Sequence, residues 1–180
     1  MRRFAINIAT VLFACCTFAG CLIDGTLDKD GGGTLTIKLR LMSVDQMADA
    51  KKQMQSPQVE LVSATLDDDK WATFNLKFAD VTKLSTTQFF NRATFTLADD
   101  EGGTKTLNIK YVNSSRAPLT KEMADYFGNQ MNFIIHLPGE VVKTNATQKD
   151  GNTAKWTYTA IEFGEKAEST LSVTYKRPAK

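Results

Sequence analysis

The side chains able to do covalent or acid–base chemistry in this chain are few, and their spacing keeps them apart. All three cysteines, Cys15, Cys16 and Cys21, fall near the amino terminus, so residues 22–180 offer no thiolate nucleophile, no disulfide and no cysteine-based metal site. His136 is the only histidine. Alternation along 131–137 puts Met131, Phe133, Ile135 and Leu137 on one apolar face, and His136 opposite with Asn132 and Ile134. With no second histidine beside it, it reads as a surface side chain rather than a base or ligand. Carboxylates cluster at Asp67-Asp68-Asp69 and Asp99-Asp100-Glu101, between strand-like runs, where solvated turn charge is the ordinary reason. A paired-carboxylate hydrolase would need two acids brought together by the fold. No serine elbow, phosphate-binding glycine loop or zinc pair is present in the sequence. The residues therefore favour a protein that is not an enzyme and holds no metal or cofactor.

Cys21 is the one thiol in a chemically marked setting. Arg2 and Arg3 precede an apolar run from Phe4 to Phe18, which is too short to span a bilayer comfortably, and Ala19-Gly20 lie directly before Cys21. This arrangement resembles a bacterial lipoprotein signal. The resemblance implies cleavage after residue 20, a diacylglycerol thioether on the Cys21 sulfur, and often an acyl chain such as palmitate on the new amino group. Phe18 stands where leucine is usual, and the slot stays apolar. The expected location is exported, anchored by lipid to the cell membrane or outer membrane. Leu22, where aspartate would mark inner-membrane retention in enteric bacteria, favours the outer membrane if the cell has two.

The formal charge of +2 disappears once Arg2 and Arg3 leave with residues 1–20. No polybasic patch for nucleic acid or an anionic membrane follows from it. Residues 21–33 carry charge and the run Gly31-Gly32-Gly33, and read as a lipidated cysteine with a flexible tether reaching about 40 Å extended and roughly 20 Å as a coil. Asp28-x-Asp30 resembles the start of a calcium loop, yet Gly32 falls at its position five and Leu39 where the bidentate glutamate belongs. The sequons at Asn113 and Asn145 have no expected use in a bacterial lipoprotein.

Residues 34–180 read as one domain. Leu35, Ile37, Leu39 and Leu41 alternate with polar residues as a half-buried strand. Ser43 with Gln46 looks like a capping box opening a helix with Val44, Met47, Ala48, Lys51 and Met54 on one stripe, ended by Pro57. Strands follow over 59–66 and 71–78, the latter facing Ala72, Phe74, Leu76 and Phe78 one way. Residues 80–91 carry a helical-turn signal around Leu84 and Phe89. Runs 92–97 and 106–112 form a hairpin around Asp99–Gly103. Thr120 caps a second helix with Met123, Tyr126 and Phe127 on its apolar face, closed by a left-handed Gly128. Strands over 131–137, 141–146, 154–161 and 171–175 complete an α+β fold: a largely antiparallel sheet of eight or nine strands with two helices. Val62, Ala64 and Leu66 set against Val59 and Leu61, with Ile134 opposite Phe133, make strands apolar on both faces, which helices or a ligand must cover.

Residues 136–156 are the most individual stretch. Pro138-Gly139 suits a type II turn, Asp150-Gly151 a hairpin tip, and Ala154, Trp156 and Tyr158 share one strand face, an aromatic plug in a β-meander. A strand ending in Pro138-Gly139, then Val141, Thr144-Asn145, Gly151-Asn152-Thr153 and Trp156, resembles the LppM-type domain of bacterial lipoproteins. The resemblance implies a lipid-anchored, exported, non-enzymatic α+β domain over 34–180, with possible contact to lipids or glycolipids and no active site. Many members carry a C-terminal transmembrane helix, which the polar ending Lys176-Arg177-Pro178-Ala179-Lys180 does not resemble. Two functions follow as expectations: binding of lipid or another amphiphile, with Trp156 and Tyr158 as candidate contacts, or docking of another envelope protein. The membrane through Cys21 is the expected partner, and nucleic acid is not.

Overall fold

The structure is a computed structural model that describes residues 21–113, 120–126 and 128–178. Residues 1–20, with Cys15, Cys16 and the expected signal, lie outside the described residues, as does most of the sequon at Asn113. Among the described residues the chain order is β1 Cys21–Leu27, β2 Gly33–Arg40, α1 Gln46–Gln53, β3 Val59–Leu66, β4 Trp71–Phe78, a 3-10 turn Val81–Thr86, β5 Ala93–Asp100 and β6 Thr104–Val112. Then come α2 Lys121–Tyr126, β7 Gln130–His136, β8 Val141–Thr144, β9 Gln148–Asp150, β10 Thr153–Thr159, α3 Ala160–Glu165 and β11 Glu168–Lys176. The strands form a seven-stranded sheet in the order β3-β4-β2-β1-β7-β10-β9 and a four-stranded sheet β5-β6-β11-β8. All neighbours are antiparallel except β1 with β7. One domain, mostly sheet and largely antiparallel, is as the sequence suggests. Among the described residues, eleven strands in two sheets and three short α-helices replace the eight or nine strands and two helices expected.

The main correction concerns residues 21–33. They are not a tether. Cys21–Leu27 is a central strand, bonded to β2 from Leu22 opposite Lys38 to Leu27 opposite Gly33, and to β7 from Cys21 beside Met131 to Thr26 beside His136. Cys21, Gly25 and Leu27 are buried and Ile23 packs against the core, so an inward alternation runs beneath the polar residues Asp24 and Thr26. The glycines serve a tight turn rather than flexibility. Asp28 Oδ1 accepts the amides of Asp30 and Gly32, and a Cβ on Gly33 would lie 2.0 Å from the Thr26 carbonyl oxygen. Asp28 thus satisfies backbone donors as an Asx turn does.

The strongly alternating strands fold as read. Leu35, Ile37, Leu39 and Leu41 are buried, as are Ala72, Phe74, Leu76 and Phe78. The β5–β6 hairpin turns through left-handed Gly102 and Gly103. In α1 the cap differs: Asp45 occupies the N-cap without a side-chain bond, while Gln46 Oε1 accepts the amides of Met42 and Ser43. Val44 and Ala48 face solvent, whereas Met54 is buried as the stripe suggests, together with Ala50 and Gln53. Thr120 Oγ1 does accept the Met123 amide in α2, and Gly128 is left-handed. Met123 and Tyr126 are exposed all the same, with Ala124 as the buried contact. The expected strand over 154–161 ends at Thr159, because Thr159 and Glu162 form a capping box that starts α3. In β3 a bulge between Leu61 and Ser63 breaks the phase, so Val62 points to water and the doubly apolar face is not formed there.

Gly139 also departs from the type II reading, since its φ is not positive. Its requirement is space: a Cβ would sit 1.9 Å from the Lys176 carbonyl oxygen of β11.

Candidate functional site: an apolar cavity between the sheets

Alternation on both sheets points large apolar side chains at one another, and they do not fill the gap. A cavity of about 100 Å³ remains between them. The large sheet contributes Ile23 and Leu27 of β1, Leu35 of β2, Phe78 of β4, and Met131, Phe133 and Ile135 of β7. The small sheet contributes Ala93, Phe95, Leu107, Ile109 and Leu171, while Leu84, Phe89 and Phe90 close the side next to β5. Gly25 adds no side chain to the wall, and even a Cβ there would approach Leu35 Cδ1 to 3.0 Å.

The α3 end of the cavity is aromatic. Phe163 lies with its ring centroid 5.3 Å from Tyr111, 5.6 Å from Phe133 and 5.5 Å from Tyr158. The helix carrying it is pinned through Asn113, whose amide donates to the Ala167 carbonyl and whose side chain donates to that of Gly164. Ser169, opposite Tyr111 in the β6–β11 register, joins Thr26 and Tyr111 as the polar residues of the wall. It is buried, and its Oγ has no hydrogen-bond partner among the described residues. A buried hydroxyl without a partner costs about 1–3 kcal/mol, so a ligand atom able to bond it would recover that amount.

The residues singled out from sequence take other places. Trp156 is 1% exposed and does not line the cavity. Its Nε1 donates to Asn145 Oδ1 at 2.8 Å, which makes it core rather than a ligand contact. Tyr158 is half-buried against Phe133 and Phe163, with the Lys166 ammonium 5.0 Å from its ring centre, and burial raises its hydroxyl pKa. It stands behind the cavity wall, not on it. His136 lies off the apolar face, with Nε2 3.2 Å from Asp24 Oδ1 and Nδ1 3.0 Å from Thr153 Oγ1. No group of His, Cys, Asp and Glu able to hold a metal exists among the described residues. Nor is any described helix long and apolar enough to cross a membrane. Ser169 was missed because the alternation read for β11 began at Leu171; extending it two residues upstream would have found it. Asn145, which ties Trp156 to β11, enters the sequence reading as a sequon and as part of the Thr144-Asn145 motif, with no contact assigned to it.

The family model described as the LppM domain matches residues 26–175. The chain belongs to the LppM domain family. The match runs from the last two residues of β1 into β11, and includes part of the stretch expected to be a tether. The folded domain of the Mycobacterium tuberculosis LppM protein, solved by NMR, is similar to it with a TM-score of 0.54 and 15% identity, over 90% of this chain and 91% of that one. At that identity the likeness concerns the fold. No curated protein sequence matches the chain. Membership in this family of lipoprotein domains makes the chain an envelope-associated lipoprotein in its broad class.

Proposed function

We propose that this LppM-family protein is a non-enzymatic lipoprotein, held by lipid on Cys21, whose domain receives the apolar part of an amphiphile between its two sheets. The observation that carries this reading is the cavity with an unpartnered, buried Ser169 hydroxyl on a wall that is apolar apart from it, Thr26 and Tyr111. Size limits the ligand. An engineered cavity of about 150 Å³ holds benzene, so about 100 Å³ holds the end of one acyl chain rather than a whole diacyl lipid. The rest of such a ligand would lie outside, with one carbonyl or hydroxyl near Ser169.

The alternative, docking of another envelope protein along a sheet edge, has weaker support. At the β3 edge the bulge at Leu61–Ser63 interrupts the ladder that an added strand would need. Two substitutions test the cavity reading on protein extracted from membranes and offered a fluorescent fatty acid. Ala93→Leu fills the wall and should cut uptake several-fold. Ser169→Ala removes a buried hydroxyl that has no protein partner, so it should raise the melting temperature by a few degrees rather than lower it, and should weaken uptake of the fatty acid relative to a plain hydrocarbon probe. Undiminished uptake in both variants would discard the cavity as the site.

A further inference from the structure

Seven large apolar side chains are solvent-exposed among the described residues, and five of them collect at one end of the sandwich: Met42, Val44, Val112, Met123 and Tyr126. The ladders fix which end. Cys21 is level with Met131, and Gln130 with Thr159, where α3 begins. On the other side of β1, Leu22 faces Lys38, so Arg40, Leu41 and Met42 continue beyond the start of β1. Tyr126 is fastened at this end: its carbonyl accepts from Arg40, its hydroxyl donates to the Leu41 carbonyl, and the Arg40 guanidinium lies 4.5 Å from its ring centre. Val112 ends β6 next to Asn113, which is bonded to the α3 region. Val142, by contrast, sits at the far end, beside Val141, whose amide donates to Gly151 at the tip of the β9–β10 hairpin.

We infer that this end is a membrane-seating face, which docks on the surface of the bilayer that holds the anchor. The inference rests on the proposed lipid at Cys21. With no tether between that residue and the central strand, an anchored chain has this end within a residue of the headgroups. Exposed methionines, valines and a tyrosine backed by an arginine suit the interfacial zone, where apolar side chains enter and an aromatic–cation pair stays at headgroup level. Charge decides the kind of surface. Asp67, Asp68 and Asp69 occupy the β3–β4 turn at the same end, since Trp71 is paired with Arg40. Lys70 and Arg40 stand beside these carboxylates, donating to the Met42 and Asp69 carbonyls, so the end carries both signs and the surface that fits is zwitterionic.

Position-specific labels test this on the full chain. Met123→Cys, Met42→Cys and Val142→Cys each place one thiol at an exposed site, in a chain whose Cys21 is blocked by the thioether and whose Cys15 and Cys16 leave with the signal. Each is labelled with an environment-sensitive fluorophore and reconstituted into phosphatidylcholine vesicles. Labels at 123 and 42 should shift to the blue, brighten several-fold and be quenched by brominated acyl chains, while the label at 142 stays aqueous. Labels at 123 and 42 as aqueous as that at 142, in a chain that floats with the vesicles, would overturn the seating face and leave the anchor standing. A chain that does not float, and whose intact mass shows no lipid on Cys21, would overturn the anchor and this inference together.

Discussion

Asn145→Ala should destabilise the domain mainly through a residue it does not itself bury. Asn145 Oδ1 accepts from Trp156 Nε1 and from the Ser172 amide, both at 2.8 Å, and its Nδ2 donates to the Thr170 carbonyl at 2.8 Å. It therefore joins β10 of the large sheet to β11 of the small one. The two bonds to β11 lie near solvent, so water replaces the lost partner and each costs only about 0.5 kcal/mol. The indole is 1% exposed, and its orphaned N–H costs about 1–3 kcal/mol. The sum is about 2–4 kcal/mol, or roughly 5–15 °C in Tm for a domain this size. Trp156→Phe removes the N–H, so Asn145→Ala made in that background should cost only about 1 kcal/mol. Urea unfolding followed by circular dichroism measures all four corners of the cycle. Equal costs of Asn145→Ala in the two backgrounds would refute the claim that the indole bond carries the effect.

Tyr175 is fully buried with no hydrogen-bond partner for its hydroxyl among the described residues, and burial first, then Asp99 and Asp28, pushes its pKa up to about 12. The folded state then holds its proton more tightly than the unfolded state, so stability falls as pH rises from 10 to 12, by roughly 3 kcal/mol at most. Tyr175→Phe, which removes that unpartnered hydroxyl, should be at least as stable as the wild type below pH 10 and lose less above it, read from urea midpoints across that range. Gly139→Ala puts a methyl into the Lys176 carbonyl and should cost about 1–3 kcal/mol, seen as a lower Tm. His136→Gln should change neither stability nor probe uptake between pH 5 and 8, because its partners Asp24 and Thr153 lie off the cavity wall.

What the sequence disclosed follows from how strongly each strand alternates. β2 and β4 have apolar residues at every second position and polar ones between, so their buried faces are legible without a structure. β1 hides the same pattern: its inward series is Cys21, Ile23, Gly25 and Leu27, and the glycine blanks the third position. Three glycines just downstream then read as flexibility, although they close a turn whose donors Asp28 satisfies. The first two residues of α3 read as the end of a strand because Ala160 continues the face of Ala154, Trp156 and Tyr158, and only the Thr159–Glu162 box marks the break. The cavity could not be read at all. It depends on the spacing of two sheets whose facing residues come from strands far apart in the chain, and no local pattern records the gap between them.

If Cys21 carries the proposed lipid, its place in a central strand joins export to folding. β1 is the first element of the described chain, yet it divides the large sheet: β3, β4 and β2 lie on one side, and β7, β10 and β9 on the other. Its partner β2 follows after a short turn, so that hairpin can form early. Its other partner, β7, follows roughly a hundred residues later, and this parallel pairing closes the longest loop in the sheet. The two halves of the large sheet can unite only after β7 has crossed the membrane and the start of β1 is free to lie beside it. A signal still attached at Cys21 would hold that start in the bilayer, beside the position Met131 must occupy. Cleavage before Cys21 then does more than release an anchor-ready thiol. It frees the end of the strand that both halves of the sheet require, so an uncleaved chain should keep its β3-β4-β2 half and leave β7–β10 exposed to protease.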